Sequence, residues 1–181
     1  RRCNAGVGHL SSGAGREAMQ ALPRMSDSGA TGDAASNAAI HTFMREAKAG
    51  SGRVHMLGLL SPGGVHAHQD HLGHLVKILS AAGLDVIVHA FTDGRDVPPT
   101  TAPTDLRRFQ KAFPDVRIGS LQGRYWAMDR DTRWARTEKA YHALRNGRGA
   151  AVSDLGAAIE QAHVGGPTDE LLEPVTTADF V

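Results

Sequence analysis

The sequence predicts an α/β fold, a three-layer sandwich built around a mainly parallel sheet. Three segments follow one plan, in which an apolar strand-like run leads into a polar loop containing glycine and then into a helical pattern. They run through Val54–His71, His89–Pro99 and Val116–Asp131. Strands that alternate with helices imply a parallel sheet, and open parallel sheets bind ligands at the carboxyl ends of their strands. We therefore expect the three polar loops to gather at one edge of the sheet and to form the functional site.

Composition and charge exclude several classes of protein. The 181 residues suffice for one domain, and the net charge of +1 gives no general attraction to nucleic acid or acidic membranes. The single Cys3 excludes an internal disulfide and is typical of a reducing compartment. No apolar run approaches the ~20 residues of a membrane span, and no secretory signal opens the chain. We expect a cytoplasmic protein without nucleic-acid or membrane partners and, because no initiator Met opens the chain, a fragment.

The N-terminal part of the chain carries weak structural signals. Residues Arg1–Leu22 are rich in glycine at first and then weakly helical from about Gly15 to Ala21. The polar stretch Pro23–Ala35 is typical of a linker or an exposed loop. The glycines of Gly6–Gly15 do not form a nucleotide-binding loop, because no strand precedes them and no acidic residue follows at the right distance. We interpret them as turn residues.

The remainder of the chain predicts five helices from apolar residues repeating every three or four positions. Their predicted extents are Ser36–Lys48, about Asp70–Ala82, a stretch from about Thr101, about Asp131–Leu144, and Ser153–His163. The predicted inward face of the first helix is formed by Ile40, Phe43, Met44 and Ala47, and that of the second by Leu72, Leu75, Val76 and Leu79. In the third helix the inward residues are Leu106, Phe109 and Phe113, and in the fourth they are Trp134, Thr137, Tyr141 and Leu144.

Arginine and aspartate residues dominate two of the polar loops. Arg124 and Arg130 follow the third strand, and Arg95 and Asp96 follow the second. A planar guanidinium can hold a carboxylate or phosphate through two parallel hydrogen bonds, so this set suits a small acidic ligand. An aspartate among arginines stays ionised and suits the binding of a substrate hydroxyl. The alternative is that the arginines pair with the aspartates of the same loops and only fix the loop conformation.

Four histidines follow the first strand at spacings of two, three and three: His66, His68, His71 and His74. Such clusters can bind zinc or nickel, although only Asp70 is available nearby to extend the ligand set. The alternative is that His66, which lies nearest the end of the strand, acts as a neutral hydrogen-bonding or proton-handling group.

Four blocks of this sequence resemble the cofactor-independent (2,3-bisphosphoglycerate-independent) phosphoglycerate mutases. The blocks are Gly8–Leu10 with Gly13–Arg16, Leu57–His68, His89–Pro99, and Gly123–Asp131 with Arg133-Trp134 and Lys139–Tyr141. The resemblance runs from about Asn4 to Pro174, including Thr168-Asp-Glu170, and is weak through Ser26–Ala49 and Arg145–Ala162. Several long blocks in the same order are far more specific than any short motif.

The resemblance implies both an activity and a division into domains. Members interconvert 3-phosphoglycerate and 2-phosphoglycerate in glycolysis. A phosphatase-like domain provides a phosphorylated serine and binds two manganese ions, and an inserted domain binds the phosphoglycerate. Residues 1–22 would be a remnant of the metal-binding domain. Residues 23–181 would be the phosphotransferase domain, incomplete at its C-terminal end, and the protein would be a monomer.

By the same resemblance, five residues of this chain bind phosphoglycerate: His66, Arg95, Asp96, Arg124 and Arg130. The arginines would hold the carboxylate and the phosphate, while Asp96 and His66 would orient the hydroxyls and help to move their protons.

One departure from the family pattern lies at the nucleophile. The family has Asn-Ser-Glu-Val-Gly-His, whereas this chain has Asn4-Ala-Gly-Val-Gly-His9, so Ala5 stands where the phosphorylated serine is expected. A methyl group cannot attack phosphorus. The resemblance also places the family's manganese ligands and a further pair of arginines outside this sequence. We therefore expect no metal site in this chain and no turnover by it alone. The alternatives are a noncatalytic phosphoglycerate-binding module and a histidine-cluster metal-binding protein.

Overall fold

Five strands form one sheet in the computed structural model, which describes residues 5–16 and 20–180. They are β1 (Arg53–Leu59), β2 (Asp85–Thr92), β3 (Arg117–Gly123), β4 (Ala150–Ala151) and β5 (Val175–Thr176), in the order β1-β2-β3-β5-β4. Strands β1, β2 and β3 are parallel, and only the short β5 runs antiparallel to β3. The prediction of an α/β fold with a mainly parallel sheet is confirmed.

Eight α-helices occur within the described ranges. They are α1 (Ala5–Ala14), α2 (Ala21–Thr31), α3 (Ala38–Ala49), α4 (Gln69–Ala81), α5 (Ala102–Ala112), α6 (Arg124–Ala127), α7 (Trp134–Asn146) and α8 (Leu155–Val164). Two short 3-10 helices cover Asp33–Ser36 and Asp169–Leu171. No helix in the described part of the chain is both long enough and apolar enough to cross a membrane.

The main core lies between one face of the sheet and helices α4, α5 and α8. Alternate residues of the strands point to the same face, so Val86 and Val88 of β2 meet the apolar stripes of these helices. Leu106 and Phe109 lie three apart on α5 and are both fully buried, as their spacing predicts. Burial of such side chains contributes about 1.5–3 kcal/mol each.

The opposite face of the sheet carries a row of polar side chains. His89 of β2 is buried; its Nδ1 lies 2.7 Å from Ser120 Oγ on β3, and its Nε2 lies 2.9 Å from His55 Nδ1 on β1. Phe180 packs edge-on against the His89 ring and also lies against Gly147, the residue that ends α7. Phe180 and the end of α7 therefore cover part of this face, on which Leu57 of β1 is 51% exposed.

The stretch predicted as a linker, Pro23–Ala35, is mostly helical, so that prediction is wrong. Helix α2 spans Ala21–Thr31 and ends at Gly32, which has a φ of 81°. Pro23 is tolerated because it lies in the first turn, where backbone N–H groups have no partner within the helix. None of the α2 side chains is buried, and the helix is attached to α4 partly through Ser26 Oγ, 2.8 Å from His71 Nε2. This weak burial explains why the composition resembles a loop.

The glycine-rich N-terminal stretch is also helical. Helix α1 spans Ala5–Ala14 and includes three glycines, so their interpretation as turn residues is wrong. Only Gly15, with a φ of 64°, lies in a turn. Part of the predicted helix Gly15–Ala21 falls on residues 17–19, outside the described residues. Each glycine inside a helix is about 0.5–1 kcal/mol less favourable than alanine, so α1 is intrinsically weak.

Helix α7 exists as predicted, but its buried face differs. Trp134 is 73% exposed and Tyr141 is 57% exposed, and Thr137 is exposed as well. The buried residues are Ala140 and Ala143, whose small side chains let the helix approach β3 closely. The sequence prediction placed the large aromatic residues on the buried face, whereas the small alanines are the residues that are buried. On α3, similarly, Phe43 is 46% exposed, and Met44 and Ala47 make the core contact.

Candidate functional site

A cavity lies where the parallel strands β1, β2 and β3 end. Its volume is about 490 Å³, which includes space open to solvent. Ten residues line it: His66, Arg95, Arg124, Tyr125, Met128, Asp129, Arg130, Asp131, Arg136 and Glu170. His66 comes from the loop after β1, Arg95 from the loop after β2, and the run from Arg124 follows β3. The three polar loops therefore gather at one edge of the sheet, as the strand order predicts.

Asp93, the residue that follows β2, joins these loops below the cavity. Its side chain is 2% exposed. Its Oδ2 accepts a hydrogen bond from Ser61 Oγ at 2.6 Å, and its Oδ1 accepts from the backbone N–H groups of Arg95 at 3.2 Å and Asp96 at 3.0 Å. The same Oδ1 also accepts from Arg124 Nη1 at 2.6 Å. One buried carboxylate thus fixes the ends of all three strands relative to one another.

Both members of the Asp93–Arg124 pair are held in their charged forms. Burial by itself raises the pKa of Asp93, but hydrogen bonds from Ser61, the Asp96 backbone, Arg124 and the Arg95 backbone outweigh it and lower the pKa overall. Burial likewise acts to lower the pKa of Arg124, and its bonds to Asp96 and Asp93 more than reverse that effect. A buried charge is tolerated here because it is paired and hydrogen-bonded.

Arg124 is the most buried of the predicted ligand-binding arginines. Its side chain is 9% exposed, and its Nη1 donates to Asp93 at 2.6 Å and to Asp96 Oδ2 at 2.9 Å. The alternative interpretation, in which arginines pair with loop aspartates, therefore describes part of its role. Arg124 nevertheless lines the cavity, so this structural pairing coexists with access to a ligand.

Arg95 and His66, which also line the cavity, are held more loosely than Arg124. Arg95 Nη1 lies 3.5 Å from Glu170 Oε1, and its side chain is 53% exposed. His66 Nε2 lies 3.9 Å from Asp96 Oδ2, too far for a hydrogen bond. Asp96 itself is not among the residues that line the cavity, but it contacts Arg124 and lies beside His66. Four of the five predicted residues therefore line the cavity and the fifth supports them.

Arg130 lies at the rim of the cavity. It is exposed, and within the described ranges no carboxylate lies within ion-pairing distance of it. Its neighbour Asp129 is used internally: Asp129 Oδ2 accepts from the backbone N–H of Arg133 at 2.9 Å, just before α7 begins. The donors of Arg130 are thus free for a ligand, in contrast to those of Arg124.

A clamp centred on Asp169 brings Glu170 to the cavity. Asp169 is fully buried; its Oδ2 accepts from Ala102 N–H at 2.8 Å at the start of α5, and its Oδ1 lies 2.8 Å from His163 Nε2 near the end of α8. Gly123, the last residue of β3, leaves room for this segment, because a Cβ there would lie 2.1 Å from the Glu170 carbonyl oxygen. Sequence reasoning assigned these residues no role beyond their resemblance to the family.

The remaining histidines after β1 serve different structural purposes. His68 Nδ1 accepts from the backbone N–H of Asp70 at 3.2 Å and caps α4. His71 pairs with Ser26, and His74 packs edge-on against the ring of Phe113. In the described part of the chain, no group of three or more His, Cys, Asp or Glu side chains is arranged to hold a metal ion. The histidine cluster therefore lacks the geometry of a metal site.

Comparisons with known proteins agree on one family. A family model described as the BPG-independent PGAM N-terminus matches residues 25–180. The chain is 46% identical to the 2,3-bisphosphoglycerate-independent phosphoglycerate mutase of Gluconobacter oxydans over 178 residues, which cover 98% of this chain and 35% of that protein. The corresponding protein of Rhodopseudomonas palustris is 44% identical, with the same coverage. The chain belongs to the 2,3-bisphosphoglycerate-independent phosphoglycerate mutases.

A solved structure supports the same assignment. A crystal structure of the Leishmania mexicana phosphoglycerate mutase, determined at low cobalt concentration, aligns with a TM-score of 0.72 and 26% sequence identity. The alignment covers 90% of this chain and 32% of that protein. This chain thus spans about a third of the length of the phosphoglycerate mutases that it matches.

For a chain of this mutase family, position 5 raises a separate question. Ala5 is the first residue of α1. The family resemblance predicts that this alanine replaces a phosphorylated serine. The side chain at position 5 lies outside the described part of the structure. The role of position 5 therefore remains a prediction from the family resemblance.

Proposed function

We propose that this chain provides the phosphoglycerate-binding part of a cofactor-independent phosphoglycerate mutase, which interconverts 3-phosphoglycerate and 2-phosphoglycerate in glycolysis. The observation that carries this proposal is the convergence of Arg95, Arg124 and Arg130 with His66 on one cavity, in a chain of this family. A monomeric, cytoplasmic protein remains our expectation.

The charges of the cavity suit a ligand with two acidic groups. Phosphoglycerate carries a carboxylate and a phosphate on a three-carbon chain, and guanidinium groups bind both through paired hydrogen bonds. Arg130 has free donors at the rim, and Arg95 can exchange its 3.5 Å contact with Glu170 for a ligand oxygen. Arg124 adds a positive charge fixed by two carboxylates. Asp96 and His66, whose Oδ2 and Nε2 atoms lie 3.9 Å apart, are suited to bind hydroxyl groups and to accept or return their protons.

The phosphoryl transfer itself requires groups that the described residues do not supply. Two manganese ions, as the family resemblance implies, would activate the nucleophile and neutralise the phosphate charge. The described residues do not fit these ions, because no three of their His, Cys, Asp or Glu side chains converge in a metal-binding arrangement. Ala5 offers no nucleophilic atom. We therefore propose that this chain binds phosphoglycerate but does not interconvert it alone.

The alanine at position 5 also favours a second candidate function, a noncatalytic phosphoglycerate-binding module. Such a module would retain the cavity and its arginines while lacking the nucleophile. An experiment with the Ala5→Ser variant of this chain distinguishes the two functions. The variant is mixed with the metal-binding domain of a relative in the presence of manganese. Conversion of 3-phosphoglycerate would support the mutase assignment, and binding without conversion would favour the module.

Calorimetric titration with 3-phosphoglycerate tests the binding function itself. We expect one weak site per chain, and we expect affinity to fall about tenfold or more when Arg130 is replaced by Gln, because a hydrogen bond to a charged group is worth about 1.5–3 kcal/mol. Arg107→Gln is a matched control, since Arg107 lies on α5 and pairs with Glu160, away from the cavity. Absence of binding to the unchanged chain would reject the proposed function.

A further inference from the structure

We propose that Arg136, on helix α7, is a ligand-contacting residue that binds one acidic group of the phosphoglycerate directly. The inference rests on the proposed function of the cavity. Neither the charge pattern of the sequence nor the family resemblance singles out Arg136, because it lies beyond the loop, in the first turn of α7. Its side chain nevertheless lines the cavity, as that of Arg95 does.

Two neighbours orient the Arg136 guanidinium. Its central carbon lies 3.6 Å from the centre of the Tyr125 ring, an arrangement in which the cation is attracted by the ring face. Its Nη1 lies 3.4 Å from Asp129 Oδ1. Asp129 is itself fixed by the backbone N–H of Arg133, so the three side chains Tyr125, Asp129 and Arg136 form one packed group. A planar cation held by an aromatic ring and a carboxylate is preorganised for a planar or tetrahedral anion.

The hydrogen-bonding capacity of Arg136 is largely unused. A guanidinium carries five N–H donors, and among the described residues the Arg136 side chain makes one hydrogen bond, at 3.4 Å. That distance exceeds the roughly 2.7–2.9 Å of a strong charge-assisted bond. Arg124, by contrast, makes two short bonds to carboxylates. Only 18% of the Arg136 side chain is exposed, and an anion in the cavity would accept hydrogen bonds from donors that no described protein group uses.

Arg136 and Arg95 both line the cavity and are loosely paired, whereas Arg124 is held by short bonds. Each pairs loosely with one carboxylate, at 3.4 Å to Asp129 and at 3.5 Å to Glu170. A ligand with acidic groups at both ends can replace these two long contacts without disturbing the short bonds of Arg124. We therefore expect a small molecule carrying two acidic groups to bind more tightly than one carrying a single acidic group.

The test compares Arg136→Gln and Arg136→Lys with Arg145→Gln. Arg145 is an exposed residue of the same helix outside the cavity, which makes it a matched control. Calorimetry measures the affinity for 3-phosphoglycerate, and NMR titration measures the weaker binding of inorganic phosphate and of glycerate. Thermal unfolding of each variant checks the fold.

We expect Arg136→Gln to weaken 3-phosphoglycerate binding at least about tenfold, Arg136→Lys to lose less, and Arg145→Gln to bind as the unchanged chain does. We also expect Arg136→Gln to weaken the binding of either phosphate or glycerate, but not of both, which identifies the group that Arg136 contacts.

Equal 3-phosphoglycerate affinity in Arg136→Gln would overturn the inference while the proposed function stands. An equal loss for phosphate and glycerate with a lower melting temperature would also overturn it, in favour of a structural role. Failure of the unchanged chain to bind 3-phosphoglycerate would reject the proposed function and this inference together.

Discussion

Asp93 Oδ1 accepts a hydrogen bond from Arg124 Nη1 at 2.6 Å, and both side chains are buried. The pair joins the end of β2 to the start of α6, directly after β3. Since Ser61 also donates to Asp93, the loop that carries His66 is tied to the same carboxylate. The cavity residues thus owe their relative positions to a residue that does not line the cavity.

Replacement of Asp93 by Asn should destabilise the protein. The change removes a buried negative charge and leaves Arg124 with Asp96 as its remaining carboxylate partner. Breaking a buried ion pair costs about 3–5 kcal/mol, and we expect the lower end of that range because Asp96 is retained. Urea unfolding measures the change in the free energy of unfolding. Asp115→Asn, at an exposed aspartate, is the control and should be nearly neutral; equal stability of the two variants would contradict the role of Asp93.

His89 should make the protein sensitive to mild acid. Burial, and secondarily the neighbouring His55, lower the pKa of His89 to about 4. In the unfolded chain its pKa is about 6.5, so below that pH the unfolded state binds the proton first. The stabilisation is fully present above about pH 6.5 and is lost as pH falls toward 4, amounting to about 3 kcal/mol.

Urea unfolding at several pH values tests this dependence on His89. The variant His89→Gln should show a flatter decline in stability between pH 6.5 and 4 than the unchanged chain. His41→Gln serves as the control, because His41 is an exposed residue of α3, and should retain the full decline. If the slopes of all three proteins agree, His89 is not the group responsible.

The substitution Gly123→Ala should disturb the clamp that carries Glu170. A Cβ at position 123 would lie 2.1 Å from the Glu170 carbonyl oxygen and 2.8 Å from the backbone nitrogen of Leu172, so the backbone must move. Overpacking of this kind typically costs about 1–3 kcal/mol. Gly58→Ala in β1 is the matched control, because nothing lies within 4 Å of a Cβ there. A melting temperature equally affected by both changes would show that the close approach at Gly123 is unimportant.

The substitution Ala5→Ser should produce no mutase activity in this chain alone. Serine is a weak nucleophile unless a metal ion or a base activates it, and the described residues offer no metal-binding group. Phosphorus NMR of 3-phosphoglycerate incubated with the variant and manganese measures the conversion directly. Appearance of 2-phosphoglycerate, absent with the unchanged chain, would show that the required groups are present after all.

Sequence periodicity predicted the elements whose packing depends on large apolar residues. Helix α5 is an example, since Leu106 and Phe109 repeat on one face and are buried. The same reasoning failed for α7, because Ala140 and Ala143 make its close contact and carry little hydrophobic signal. Strands of two residues, such as β5, are too short to show a period. They exist because neighbouring strands provide hydrogen-bond partners.

The rule that loops gather at strand ends predicted most of the candidate site. It placed His66, Arg95 and Arg124 at one edge, and the structure brings them to one cavity. It missed Asp93, because the importance of this residue depends on the burial of its side chain. The position of an aspartate directly after a buried strand was nevertheless a usable signal. It also missed Arg136, which reaches the cavity only through the packing of α7 against the preceding loop.

The most direct test of the central claim is to follow the arginine side chains by NMR while 3-phosphoglycerate is added. The Nε–Hε signals of Arg95, Arg124 and Arg130 should shift together and saturate with a single dissociation constant. Those of Arg107 and Arg145, which lie outside the cavity, should stay in place. Saturable shifts confined to the arginines that line the cavity, which include Arg136, are the predicted result. Shifts that spread over all arginines in proportion to their exposure, or that leave Arg95, Arg124 and Arg130 unchanged, would contradict the assignment of this cavity as the phosphoglycerate site.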